Sequence, residues 1–218
     1  MKIAIFGTGS VGETLGSKLI ELGHEVTMGS RTANNEKAAA WVKKSGARAR
    51  QGTFADAAKA GDFIINATLG SGTIEAFKMA GAENVAGKVV LDLSNPLDFS
   101  RGMPPSLFLS NTDSLGEALQ REFPKARVVK ALNTMWCGIM VNPRMLPESH
   151  HTFVAGNDPA AKDEVKQLLA SFGWKPEEIV DIGDITGARA TESVLPIWLR
   201  LYGSLKTGAF SLKIVRAG

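Results

Sequence analysis

The sequence predicts a doubly wound α/β fold: a mostly parallel sheet with helices packed on both faces. Three observations predict it. Strand-like and helix-like segments alternate over residues 1–184, the rhythm of successive crossover units. Several strands read as near-continuous apolar runs, as strands buried on both faces do. A glycine-rich turn joins the first strand to the first helix.

In chain order, "KIAIFG" is a buried strand. Residues 11–22 place Val11, Leu15, Leu19 and Leu22 on one helical face, and Gly23 ends that helix. "EVTMG" is the second strand and "NEKAAAWVKKSG" the second helix. "ARARQG", short and polar, is a third strand expected near a sheet edge. Helix "TFADAAKAG", strand "DFIINAT", helix "GTIEAFKMAG" and strand "GKVVLDLS" follow. After a long connection come helix "TDSLGEALQREF" and the strands "ARVVKALN" and "HTFVAGN". Pro159 fits the first turn of helix "DPAAKDEVKQLLASFG", with Asn157 or Asp158 as its cap. "PEEIVDIGD" is a further strand.

The last part has a different character. Residues 185–218 are expected to form a small helical and strand cap, with a helix inside "ARATESVLPIWLRLYGSLKTG" and a terminal strand in "FSLKIVR". Leu195, Ile197, Trp198, Leu199, Leu201, Tyr202 and Leu205 make that helix apolar on more than one face. The cap is therefore also expected to join two copies of the chain into a homodimer.

Composition narrows the function classes. Hydrophobic residues make up 44% and charged residues 22% of the 218, an ordinary globular balance. The 25 basic and 22 acidic residues are interspersed, so no nucleic-acid partner is expected. A single cysteine excludes an intrachain disulfide and suits a reducing compartment. Strand-like sequence starts at Met1 and no apolar run reaches membrane-span length, so a cytoplasmic protein with no membrane partner is expected. No Cys/His cluster stands at metal spacing.

Gly7-Thr8-Gly9-Ser10-Val11-Gly12 matches G-x-G-x-x-G, after a buried strand and opening a helix. Gly7 permits the tight turn, Gly9 lets a pyrophosphate approach the backbone, and Gly12 lets helix and strand pack closely. Free N–H groups at the helix start face the phosphates. This is the Rossmann dinucleotide-binding arrangement, assigned here to residues 1–184. In its NAD-selective form the second strand ends in an acidic residue that holds the adenosine ribose. This chain has Ser30-Arg31-Thr32 instead. A carboxylate there would repel a 2′-phosphate, whereas a guanidinium fork and two hydroxyls attract it. NADP(H) is the predicted cofactor, with Asn34, Asn35 or Lys37 available to close the phosphate site.

Ligands of open sheets lie beyond the carboxyl ends of the strands. Those ends carry Ala67 and Thr68, Ser94 and Asn95, and Asn133 and Thr134, which are polar and uncharged. Thr68, Asn95 and Asn133 are the candidates for positioning the nicotinamide ring. None of the three histidines stands near these loops: His24 lies in a turn on the far side, and His150 and His151 precede a late strand, where a surface role is expected. Cys137 has no histidine partner within reach. Reduction of a carbonyl, imine or quinone would need a proton donor, for which Lys130, Asp184, Glu192 and Tyr202 remain. Hydride exchange between two redox rings needs none, because the rings carry the chemistry and the protein aligns them. A non-catalytic, redox-sensing NADP module is the third reading.

The motifs "GSR" after the second strand, "NPLDFSRG" after the fifth, "ALNT" after the sixth and "DIGDITGARATESVLPIWL" resemble those of the NADP oxidoreductases dependent on the deazaflavin coenzyme F-420. The resemblance runs nearly end to end. The cytosolic NADPH domains of transmembrane ferric reductases, which pass hydride to a flavin, are similar in "GSR", a D-x-S-N turn and an "NT" turn. The resemblance implies a usually dimeric protein with NADP on Thr8, Gly9, Ser10 and Val11 and its 2′-phosphate on Ser30 and Arg31. It also implies hydride transfer to coenzyme F-420 or a flavin across Thr68, Asn95 and Asn133. Two positions depart from the pattern and bear on the acceptor: Gly70-Ser71, where a bulky Trp-Glu type pair is usual, and Asn133, where His is frequent.

Overall fold

A computed structural model describes residues 1–217. Its main sheet has eight strands in the order β10-β9-β8-β5-β4-β1-β2-β3. The left-to-right reversal between β1 (Lys2–Phe6) and β4 (Phe63–Asn66) creates the crevice of a doubly wound sheet. From β3 (Ala49–Thr53), at the edge as its polar sequence predicts, through β2 (Glu25–Ser30), β1, β4 and β5 (Val89–Asp92) to β8 (Arg127–Ala131), all pairing is parallel. The sheet then turns over: β9 (Thr152–Gly156) runs antiparallel to β8, and β10 (Ile179–Asp181) runs parallel to β9.

The strand alternation of side chains divides the core into two layers. Ile3, Ile5, Val26, Met28, Ile65, Leu91 and Val129 face one side. They meet Leu15 and Leu19 of α1 (Ser10–Glu21), Trp41 of α2 (Glu36–Ser45) and Val165, Leu168 and Leu169 of α8 (Pro159–Ser171). Ala4, Phe6, Ile64, Val90 and Val128 face the other side, against α3 (Phe54–Ala60), α4 (Thr73–Ala80), α5 (Ala82–Val85) and α6 (Leu115–Glu122). An aromatic row crosses this second layer, with ring centroids 5.2 Å apart for Phe6–Phe54, 4.9 Å for Phe6–Phe77 and 5.6 Å for Phe77–Phe123. Each such pair adds about 0.5–1.5 kcal/mol beyond its buried area. Asp158 is the residue that caps α8, accepting from the Ala160 and Ala161 amides.

Several segments differ from expectation. The long connection after β5 holds a two-stranded antiparallel ribbon, β6 (Leu97–Asp98) with β7 (Ser106–Leu107), too short to show a period. After β8, a five-residue helix α7 (Cys137–Val141) packs on α1. The C-terminal helix is two helices, α9 (Ala188–Ser193) and α10 (Leu195–Leu205), divided at Val194 because Pro196 has no N–H to continue the ladder. The expected terminal strand in "FSLKIVR" does not form. His151 N–H donates to the Leu212 carbonyl at 2.9 Å, but the Ile214 N–H is taken by the His151 ring at 3.0 Å, so no ladder develops. His150 is buried rather than at the surface, its ring edge-on to Trp174 at 5.0 Å and its Nδ1 2.9 Å from the Glu148 carbonyl. Among the described residues, no helix is long and apolar enough to cross a membrane.

Candidate functional site

The site begins at the turn after β1. Gly7 has φ +115°, and a Cβ there would lie 2.5 Å from the Ala67 carbonyl oxygen, so this crossing of β1 and β4 loops requires glycine. Gly12 lies directly beneath, where a Cβ would meet the Gly7 carbonyl oxygen at 2.3 Å. Gly9 differs: a Cβ there would meet nothing within 4 Å. It borders an open cleft of about 830 Å³ lined by Gly7, Thr8, Gly9, Ser30, Arg31, Thr32, Ala67 and Thr68, with Leu69 and Glu75 among others. No side chain caps α1 at Gly9, so the amides of its first turn, at Ser10, Val11 and Gly12, have no side-chain partner there. This is a cradle for an anion, with room for a dinucleotide's pyrophosphate.

At the end of β2, Ser30 is buried and its hydroxyl donates to the Thr32 carbonyl at 2.6 Å, which shapes the turn. Arg31 is exposed at the cleft and makes no ion pair among the described residues. Its charge is therefore available to a ligand. Asn35 also lines the cleft, while its side-chain oxygen caps α2 by accepting from the Ala38 amide at 3.1 Å.

The opposite end is organised by Asp92. Its Oδ1 accepts from Asn66 Nδ2 at 2.7 Å, from the Ser94 hydroxyl at 2.7 Å and from the Ser94 amide at 3.1 Å. Asn66 in turn accepts the Thr68 hydroxyl at 2.7 Å, which orients that side chain at the cleft wall. Asn95 and Asn133 bind each other: Asn133 Nδ2 donates to Asn95 Oδ1 at 2.9 Å, and Asn95 Nδ2 donates to the Asn133 carbonyl at 3.0 Å. A Cβ on Gly70 would lie 1.9 Å from the Asn95 carbonyl oxygen, so the loops after β4 and β5 touch there. The predicted residues thus fall into two groups. Gly7, Thr8, Gly9, Ser30, Arg31, Thr32, Ala67 and Thr68 share the cleft. Ser94, Asn95, Asn133 and Thr134 do not line it; they form an adjoining floor that meets the cleft loops where Asn95 touches Gly70, with Ser94, Asn133 and Thr134 buried and the Ser94 side chain turned inward to Asp92.

The four candidate proton donors come out differently. Lys130 is fully buried, 2.6 Å from Asp92 Oδ2 and 2.8 Å from Glu192 Oε1. Burial opposes its charge, but the two carboxylates prevail and hold its pKa above the ordinary lysine value. A lysine held that firmly charged does not act as a proton donor near neutrality. Glu192 is buried too, and accepts from the Leu115 and Gly116 amides at 2.8 and 3.0 Å, at the start of α6. Asp184 is exposed beyond the trailing end of β10, and hydrogen bonds from the Thr186 hydroxyl and amide hold its carboxyl below the usual range. Tyr202 is exposed on α10, stacked on Trp198 with centroids 5.5 Å apart. Cys137 is buried against Thr14 of α1.

Sequence reasoning missed the joining of Asp92, Lys130 and Glu192. A signal existed: "VVLDL" and "VVKAL" each break an apolar run with one charge, and Asp92 and Lys130 are register partners in β5 and β8.

Comparison with known proteins bears directly on this geometry. Residues 2–96 match the family model described as NADP oxidoreductase, coenzyme F420-dependent. A crystal structure of a candidate F420-dependent NADP reductase from Arthrobacter sp. FB24 is 48% identical, with a TM-score of 0.93 over 99% of this chain and 100% of that one. The chain belongs to this family. It is an NADP-dependent oxidoreductase with a Rossmann-type sheet. The F420-dependent NADP reductase of Methanothermobacter marburgensis is 26% identical over 92% of both chains. Metalloreductase STEAP3 of Rattus norvegicus is 29% identical over 90% of this chain, which spans only 38% of that protein's length.

Proposed function

We propose that the protein moves hydride between NADPH and a deazaflavin (coenzyme F-420) or flavin ring, in the cytoplasm. One observation carries the reading: Thr68 lines the cleft, the mutually bonded Asn95 and Asn133 adjoin it, and the ionisable cluster bonded to that floor, Asp92, Lys130 and Glu192, is buried and committed to itself. Such a floor aligns rings and supplies no acid. NADP is held at its pyrophosphate by the amides of Thr8, Gly9, Ser10 and Val11, and at its 2′-phosphate by Arg31 with Ser30 and Thr32. Ala67 and Thr68, with Asn95 and Asn133 beyond them and Ser94 and Thr134 behind, would hold its nicotinamide. Bound NADPH would supply a hydride, two electrons and one proton, to an acceptor ring, with any second proton coming from solvent.

Residues 185–218 serve in this reading as the cap over the floor. α10 leaves Ile197, Tyr202 and Leu205 exposed, and a second copy of the chain is proposed to cover them. Light scattering checks this point: a mass of one chain at micromolar concentration removes it.

The functional test is stopped-flow oxidation of NADPH with coenzyme F-420, FMN, FAD, a ferric chelate and quinones offered in turn. A hydride step to F-420 or a flavin that is nearly flat between pH 6 and 9 is expected. It should be unchanged in Asp184→Asn and Tyr202→Phe. A rate governed by one ionisation that either substitution abolishes would favour carbonyl, imine or quinone reduction. Tight NADPH binding without turnover by any acceptor would favour the redox-sensing module.

A further inference from the structure

The buried Asp92–Lys130–Glu192 cluster lies outside the chemistry proposed above, yet everything around it converges on the floor. Lys130 Nζ donates to the Ser94 carbonyl at 2.7 Å, which fixes the peptide leading into Asn95. Three residues beyond Lys130 on the same strand exit stands Asn133, paired with Asn95. Asp92, the register partner of Lys130, holds Ser94 from one side and Asn66 from the other. One ammonium group therefore anchors the loops after β4, β5 and β8 together.

Glu192 does two things at once. It comes from α9, in the C-terminal segment, and it grips both Lys130 and the first amides of α6. Its neighbour Arg189 binds Glu117 of α6 through Nε at 2.8 Å, and Glu117 accepts the Ser114 hydroxyl at 2.7 Å. Those bonds already secure α9 to α6. A buried carboxylate with a desolvation cost of several kcal/mol is retained on top of them, facing the lysine.

We infer that Lys130 and Glu192 are positioning residues for hydride transfer, coupling the C-terminal segment to the Ser94–Asn95 peptide and through it to Asn133. The inference rests on the reading of Asn95 and Asn133 as ring-facing. The cluster touches no reacting atom; it fixes the floor on which the nicotinamide lies, so its loss acts on alignment and not on cofactor affinity.

The test compares Glu192→Gln and Lys130→Met with Glu178→Gln, a change in a separate buried cluster. Each protein is mixed with NADPH and then with F-420 or FMN in single turnover. Fewer folded sites lower the amplitude of such a reaction and leave its rate constant alone. Misalignment lowers the rate constant. We expect Glu192→Gln to slow the hydride step about 10- to 100-fold while the NADPH dissociation constant stays within about threefold. Hydrogen exchange of the NADP⁺-bound protein gives a readout independent of turnover. Amides 93–95, 97 and 115–116 should exchange faster in Glu192→Gln, those of residues 8–12 at the wild-type rate.

Unchanged rate constant and unchanged exchange in Glu192→Gln would overturn the inference, as would an equal slowing in Glu178→Gln. If Lys130→Met does not fold, Glu192→Gln decides alone. If wild type passes hydride to neither F-420 nor FMN, the proposed acceptor class fails, and exchange at 93–95 and 97 still decides for or against the coupling.

Discussion

The two ends of the cleft treat charge in opposite ways. At the end proposed for the adenosine, Arg31 stands exposed with no ion-pair partner among the described residues, on a turn whose members are neighbours in sequence. At the floor, Asp92, Lys130 and Glu192 are 0–2% exposed and are matched by one another, by Asn66, by Ser94 and by the amides at the start of α6. A charge left in water with nothing to bind is cheap to keep and free to meet a phosphate. A charge taken out of water must be matched on the spot, and once matched it holds backbone in place. The first arrangement leaves a charge free for an anionic ligand, and the second holds a geometry.

The sharpest way to break this contrast is to remove a charge from each end. Lys130→Met leaves two carboxylates buried without their cation and should destabilise the fold by about 3–5 kcal/mol in urea denaturation. Arg31→Ala should leave stability unchanged and weaken NADPH by about 1.5–3 kcal/mol, the worth of charged hydrogen bonds, with NADH almost untouched. Fluorescence titration of both cofactors checks it; equal losses would mean the guanidinium does not read the 2′-phosphate. Gly9→Ala sharpens the comparison further. Its methyl group enters the open cleft, so NADPH and NADH should weaken together, on the order of tenfold, with folding intact.

Glu178 provides a reference outside both ends. It is buried and bound by Arg144, by the Ser149 hydroxyl at 2.9 Å and by the Lys175 amide at 3.0 Å. Burial pushes its carboxyl up, but these partners outweigh that and hold it at about 2, from an ordinary 4.5. Its stabilisation is therefore complete above about pH 4.5 and is lost as pH falls through about 2. Glu178→Gln should cost about 1–2 kcal/mol at pH 7, because Arg144 remains partly in water, and should flatten the acid limb of a pH–stability curve. Cofactor preference should not change.

The adenosine end was legible because its logic is local. A glycine turn, a strand and the residue after the next strand lie within the first 32 residues, and each has a backbone reason for its place. The floor was legible only as polar strand ends. Its internal bonds join Asn95 to Asn133 across 38 residues and Leu115 to Glu192 across 77, separations that only the folded sheet closes. Lys130 and Glu192 could be named from sequence as ionisable but not as partners, and burial changed their role from donors to anchors. The ribbon of β6 and β7 was too short for any period to show. The failed strand near the C-terminus had the right composition, but the His151 ring takes one of the amides a ladder would need.

The reversal of β9 and β10 has a further effect. Running against β8 and the strands beyond it, they release the chain at the end of the sheet away from the glycine turn. α9 must then climb beside α6, with Arg189 low against Glu117 and Glu192 high at Leu115, before α10 can begin. The C-terminal helices therefore follow α6 upward instead of descending from a strand end. Among the described residues no β-ladder extends past Asp181, so a change in the length of α10 need not shift strand register.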